Sequence, residues 1–151
     1  MASLSAQHMR EYETIYVLKS DIEDQQAIDF LVKMKVVVEK NGGKNLKVTN
    51  QGRRKLAWER NRHQKGMYVH HLYLGQPGIA AEYERTLGID ENVLLRQTIL
   101  ISKAVDADSR QPEDDVLAPP ITKDRREEEM GARSRRDDDD RGDRDEDDDD
   151  E

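Results

Sequence analysis

The chain has 151 residues, which suits one domain with room for an appended segment, and it has no Cys, which excludes disulfides and thiolate metal sites. Its net charge of −8 is unevenly divided: 16 Lys and Arg stand against 12 Asp and Glu up to Lys103, and 9 against 21 from Ala104 onward. No apolar run approaches the ~20 residues of a membrane span, and MASLSAQHMREY lacks the apolar core of a secretory signal, so a cytosolic protein with no membrane partner is expected.

Residues 1–9 are expected to be a flexible N-terminus, and the body to span 10–103. YETIYVLK, 12–19, is rich in β-branched and aromatic residues and predicts a strand. Ser20 stands three residues before Glu23, a capping-box spacing that places a helix start there. Ala27, Phe30, Leu31, Met34 and Val38 then recur at helical spacing, and Asn41-Gly42-Gly43 stops the helix. Lys44 to Arg60 predicts a long strand with a bulge or bend at Asn50-Gln51-Gly52. HQKG turns into a further strand, MYVHHLYLG, 67–75. Pro77 opens a second helix with Ile79, Ala80, Tyr83 and Leu87 on one face and Gly88 at its end. A last apolar strand runs from Val93 to about Lys103.

The series β-α-β-β-α-β predicts an α+β, ferredoxin-like sandwich: a four-stranded antiparallel sheet with two helices on one face. The first strand is apolar on both faces, which suggests a partner over part of the bare face. Residues 104–151 contain no Phe, Trp or Tyr, and blocks such as Asp137–Asp140 repel themselves, so this segment is expected to be a disordered acidic tail. VLAPPI, 116–121, is the one stretch within it suited to docking on the body as an extended strip.

Enzymatic chemistry finds no support in the residues: there is no Cys nucleophile, no Gly-rich phosphate loop and no spaced Ser/His/Asp set. No catalytic residue, cofactor, metal or small-molecule substrate is assigned. His70 and His71 are neighbours on a strand and point to opposite faces, so one ion cannot easily use both. The informative stretch is the ribbon from Lys44 to Lys65, whose Lys44, Lys47, Arg53, Arg54, Lys55, Arg60, Arg62 and Lys65 face a single acid, Glu59. Such a bias points to a polyanion bound through phosphates, with salt-dependent affinity. Trp58 is assigned to packing, with stacking on unpaired bases as the alternative for it and for Tyr68.

REYETIYVLKSDI, GRRKLAW, KGMYVHHLYLG and ERTLGIDENVLLRQTIL together resemble bacterial small-subunit ribosomal protein six over residues 10–103. The resemblance implies the same fold and a non-catalytic, structural role in the small ribosomal subunit. It implies binding to the central domain of small-subunit ribosomal RNA as a heterodimer with ribosomal protein eighteen, in a bacterial or an organellar ribosome. On it, Arg53, Arg54 and Lys55 fall in the basic part of the middle-strand motif, and Arg10 is the basic residue before the Tyr-Glu pair. Arg60, Arg62 and Lys65 complete the expected RNA-binding set. The family's usual basic residue in the last strand is Leu95 here, and Arg96, one position later, faces the other side. The competing binding-module reading is an RNA-recognition motif on single-stranded RNA. Its Lys-Gly-aromatic-Gly-aromatic series is missing from Lys65-Gly66-Met67-Tyr68-Val69-His70.

Overall fold

The computed structural model describes residues 8–120. Six elements follow one another: β1 His8–Lys19, α1 Asp24–Lys40, β2 Lys44–Arg60, β3 His63–Gly75, α2 Ile79–Gly88 and β4 Val93–Asp106. The strands form one antiparallel sheet in the order β2-β3-β1-β4. Strand alternation sends Tyr12, Thr14, Tyr16 and Leu18 of β1, and Met67, Val69, His71 and Tyr73 of β3, to the face that carries both helices. There they meet Ala27, Phe30, Leu31, Met34 and Val38 of α1 and Ile79, Tyr83 and Leu87 of α2. This is the expected ferredoxin-like sandwich.

Aromatic rings fill the centre of that layer. Tyr73 stacks on Tyr83 at 4.9 Å, and Tyr16 meets Phe30 edge-on at 5.8 Å. His71 lies among them, fully buried, with Nδ1 2.7 Å from the Tyr83 hydroxyl and Nε2 2.7 Å from Asn45 Oδ1. Asn45 donates its amide to the Lys35 carbonyl at 3.0 Å, which leaves Oδ1 to accept from His71 Nε2–H. Desolvation then holds the imidazole neutral, its pKa pushed down to about 3. His70 points the other way and bonds Glu13 at 2.8 Å.

Helix α1 begins later than the Ser20 spacing suggests. Glu23 is its N-cap, with its backbone N–H donating to Gln26 Oε1 at 3.4 Å, and the chain at 20–22 forms a turn ahead of it. The bulge in β2 falls where the glycine indicated: the pairing with β3 slips between Asn50 and Gly52, and Gly52 has φ +84°. A second bulge, between Asn45 and Lys47, lies nearer the strand's start.

Both ends of the body extend past the expected limits. β1 starts at His8, paired with Asp106 of β4, so residues 8 and 9 are strand and not a loose terminus. Beyond β4 the chain turns over one end of the open sheet face, where Ala107 packs with Met9, Leu46 and Leu74 and Arg110 pairs with Glu11. It then runs beside the outer edge of β2 as far as Pro120, bridging Thr49 to Val116 in parallel. The boundary at Lys103 is therefore too early, and part of the bare face is covered by the chain itself. The docking strip expected at 116–121 lies on β2 over its described residues. The reading of the acidic tail as disordered falls, from residue 121, outside the described residues.

Candidate nucleic-acid interface

The basic ribbon is folded as the distal half of the β2–β3 hairpin. Its turn is Arg60-Asn61-Arg62-His63, with Asn61 at φ 47° and Arg62 at φ 65°, the two consecutive left-handed residues of a tight primed turn. Behind it the register runs from Lys55↔Lys65 directly to Arg60↔His63, so residues 56–59 of β2 oppose a single residue, Gln64. The strand must bow outward there. Trp58 sits on the bow and is 80% exposed, which corrects its assignment to packing. Arg54, Lys55, Arg60, Arg62 and Lys65 are all exposed, and none takes part in an ion pair among the described residues.

Arg53 behaves differently. The extra residue at the Gln51–Gly52 bulge reverses the alternation, so Arg53 pairs with Met67 and turns toward the helix layer. Its guanidinium donates from Nε to the Ser20 carbonyl (2.8 Å), from Nη2 to the Ile22 carbonyl (2.7 Å) and from Nη1 to Asp24 Oδ1 (2.9 Å). It fastens the entry of α1 to β2, and its charge is spent inside the fold. Arg54 pairs with Gly66, on whose other side stands Lys19 of β1. Gly66 admits no side chain, since a Cβ would lie 2.2 Å from Val17 Cγ1. Lys19 thus stands two strands from Arg54, across that bare position on β3, and adds a cation to the base of the hairpin. Sequence reading missed it, although its alternation with Ile15 and Val17 places it on that face.

Arg10 does not join this group. It pairs with Gly75, nine residues along β1 from the Lys19↔Gly66 pair, or ~30 Å at the rise of a strand. Tyr68 is half-buried with Val17, Leu56, Leu94 and Leu95, an apolar patch on the open face that uses it for packing. Arg96 faces the helix layer opposite Tyr16, its guanidinium lying against Gly88. On the same strand Ile99, Leu100 and Ile101 are exposed at an edge that no described strand covers. The open face also holds a shallow basin of about 210 Å³ lined by Glu13, Lys47, Thr49, Gln51, His70 and Leu72. Among the described residues no three His, Asp or Glu side chains are grouped to hold a metal ion, and no helix is long and apolar enough to cross a membrane.

These features define a ferredoxin-like sandwich whose distinguishing surface is a projecting cationic hairpin and not a cavity. The ribosomal protein S6 family matches residues 11–100, and the chain belongs to it. Among its relatives are small ribosomal subunit proteins bS6 of Natranaerobius thermophilus, 36% identical over 57% of this chain and 90% of that protein, and of Syntrophobacter fumaroxidans, 31% identical over 82% and 84%. The crystal structure of 30S ribosomal protein S6 from Thermotoga maritima superposes with a TM-score of 0.58 at 22% identity, over 61% of this chain and 87% of that one, and shares its fold.

Proposed function

We propose that the protein is a non-catalytic, structural component of the small ribosomal subunit, binding the central domain of its ribosomal RNA in company with ribosomal protein eighteen. The observation that carries this reading is the hairpin: five exposed cations, Arg54, Lys55, Arg60, Arg62 and Lys65, lack described carboxylate partners and surround an exposed Trp58. Phosphates would neutralise the cations, and the indole offers a face to an unpaired base. The names of the relatives, small ribosomal subunit proteins, supply the setting. The β4 edge, which no described strand covers, carries Ile99, Leu100 and Ile101 in a row and supports a protein partner on that side. The RNA-recognition-motif reading is not favoured, because the β3 aromatic it would use on the open face, Tyr68, is half-buried in packing.

The test is binding of the full chain to a central-domain RNA fragment, with and without protein eighteen, across a salt series. Five phosphate contacts predict a log–log salt slope of about −3.5 at ~0.7 per contact, and tighter binding with protein eighteen. A salt-independent affinity, or equal weak binding in both cases, would count against the reading.

A further inference from the structure

Three of the lysines beside β2 are not available to a polyanion, because the segment after β4 holds them. Lys35 pairs with Asp115, Lys47 pairs with Glu113 at 3.2 Å, and Lys44 Nζ donates to the carbonyls of Ala107 (2.7 Å) and Arg110 (2.6 Å). The three meet at the outer edge of β2 from its two sides: Lys44 and Lys47 come from β2 on the open-face side, and Lys35 from α1 on the helix side. The same segment completes the hydrogen bonding of the β2 edge from Leu46 to Asn50. Glu113 N–H donates to the Leu46 carbonyl and Val116 N–H to the Val48 carbonyl, both at 2.8 Å. In return, Asn50 N–H donates to the Val116 carbonyl (2.7 Å) and Val48 N–H to Asp115 Oδ1 (2.8 Å). Pro120 reaches Gly52, the root of the cationic hairpin. β2 therefore carries two basic stretches, Lys44 to Lys47 under an acidic strap and Arg54 to the turn open, with no free cation between them among the described residues.

From Glu113 onward the strap is held by contacts that water and RNA can replace. The apolar anchors of that part are a half-exposed Val116 and a partly buried Leu117, while the strap's start is fixed more firmly by Ala107 on Met9, Leu46 and Leu74 and by Arg110 on the buried Glu11. Glu113 is 69% exposed, so its ion pair contributes little. Segments with few buried apolar contacts open at low free-energy cost.

We propose that Lys35, Lys44 and Lys47 form a second phosphate-binding group, at the opposite end of β2 from the hairpin turn, which the strap 107–117 occupies in cis and RNA backbone takes over when the strap lifts. This rests on the RNA-binding reading above and extends it to a part of the chain that the reading does not use. The strap's carboxylates stand where phosphates would, so the strap acts as an internal competitor.

Hydrogen exchange on the full chain, with and without an excess of the central-domain RNA fragment, tests it. The expected result is that RNA lowers protection at the Val48, Asn50 and Val116 amides while protection of the β1–β3 pairing holds. Unchanged or raised protection at those three amides would overturn the proposal. A second arm compares Glu113→Gln/Asp115→Asn with Glu84→Gln/Glu91→Gln, which changes net charge equally at exposed or half-exposed sites off the strap. The strap variant should bind RNA at least fivefold more tightly than this control at low salt and steepen the salt slope by about 2, or three contacts at ~0.7 each. Equal behaviour of the two variants would sink the internal-competitor idea while leaving the hairpin reading intact. Failure of every form, the unmodified chain included, to bind the fragment would overturn both.

Discussion

Replacing Arg53 by alanine separates the two uses of the basic ribbon. In the folded protein its guanidinium makes three charge-assisted hydrogen bonds, two to carbonyls of the turn at 20–22 and one to Asp24. Removal leaves those two carbonyls to find water, which they can do in part, because the Arg53 side chain is 30% exposed. Hydrogen bonds to charged groups are each worth roughly 1.5–3 kcal/mol when buried. After discounting for solvent access the expected loss is ~2 kcal/mol for the set. At a urea dependence of ~2 kcal/mol per molar, the unfolding midpoint should fall by about 1 M with no change in slope. Arg53→Lys should recover little, since one ammonium cannot reproduce a three-way fork. Measured by RNA binding at a temperature where both proteins are folded, Arg53→Ala should cost less than about twofold. Arg54→Ala/Lys55→Ala should instead leave stability unchanged and flatten the salt slope by ~1.4, two contacts at ~0.7 each. A midpoint unmoved in Arg53→Ala, or a salt slope flattened as much as in the double variant, would refute the brace and return Arg53 to the phosphate-binding set.

The other residues give sharper, smaller tests. His71 is neutral when folded down to about pH 3 but protonates near 6.5 when unfolded, so the unfolded chain binds the extra proton between those values. Its contribution to stability is complete above pH 6.5 and is lost as pH falls toward 3, with a limiting slope of ~1.4 kcal/mol per pH unit. Ring resonances of His71 that stay fixed from pH 8 to 4 agree with this, and a midpoint near 6 does not. Trp58→Ala should leave stability within ~0.5 kcal/mol, given its exposure, and weaken RNA binding by the ~1–3 kcal/mol of one stacked base. Quenching of this single Trp on adding RNA is the direct readout. Arg62→Gly removes a side chain from a left-handed position, φ 65°, and should raise stability by ~1 kcal/mol while lowering the salt slope by ~0.7. Lower stability in that variant would mean that Arg62 is held by contacts within the fold.

The architecture was legible because its information is local and repeated. Ala27, Phe30, Leu31, Met34 and Val38 keep helical spacing through α1, and Asn41-Gly42-Gly43 and Gly88 mark where the helices end. Helix α1 starts at Asp24 and not at Ser20 because two capping-box spacings overlap in SDIEDQQ, Ser20 to Glu23 and Glu23 to Gln26, and the second is the one formed. The Ser20 carbonyl is taken by Arg53, a contact 33 residues away in sequence. The strap was harder to see for a related reason. Val116 and Leu117 carry too little apolar pattern to announce a strand, and what fastens the part from Glu113 to Val116 is backbone hydrogen bonding and two carboxylates aimed at lysines 66 to 80 residues earlier. Composition reads those carboxylates only as part of an acidic tail.

The ribbon shows why a count of charges did not amount to a site. Alternation along β2 predicts that Arg53 and Arg54 face opposite ways, and they do, but which of them meets the helices depends on how many residues intervene from Val48. The bulge at Gln51–Gly52 adds one, and a single residue reverses every side chain beyond it. Gly52 signalled that a bulge was present, but its width is set by pairing with β3, which a strand read alone does not contain. The same dependence on pairing separates Arg10 from the hairpin, because β1 runs away from the turn, and exposes Trp58, because β3 supplies one residue where β2 supplies four. Eight cations that looked equivalent in sequence are thereby sorted into three groups. Arg53 is bound into the fold, Lys44 and Lys47 lie under the strap, and Arg54, Lys55, Arg60, Arg62 and Lys65 remain exposed. Only the last group is ready for a phosphate without rearrangement, so affinity in the strap-closed state should track those five side chains and Lys19, and not the charge of the ribbon as a whole.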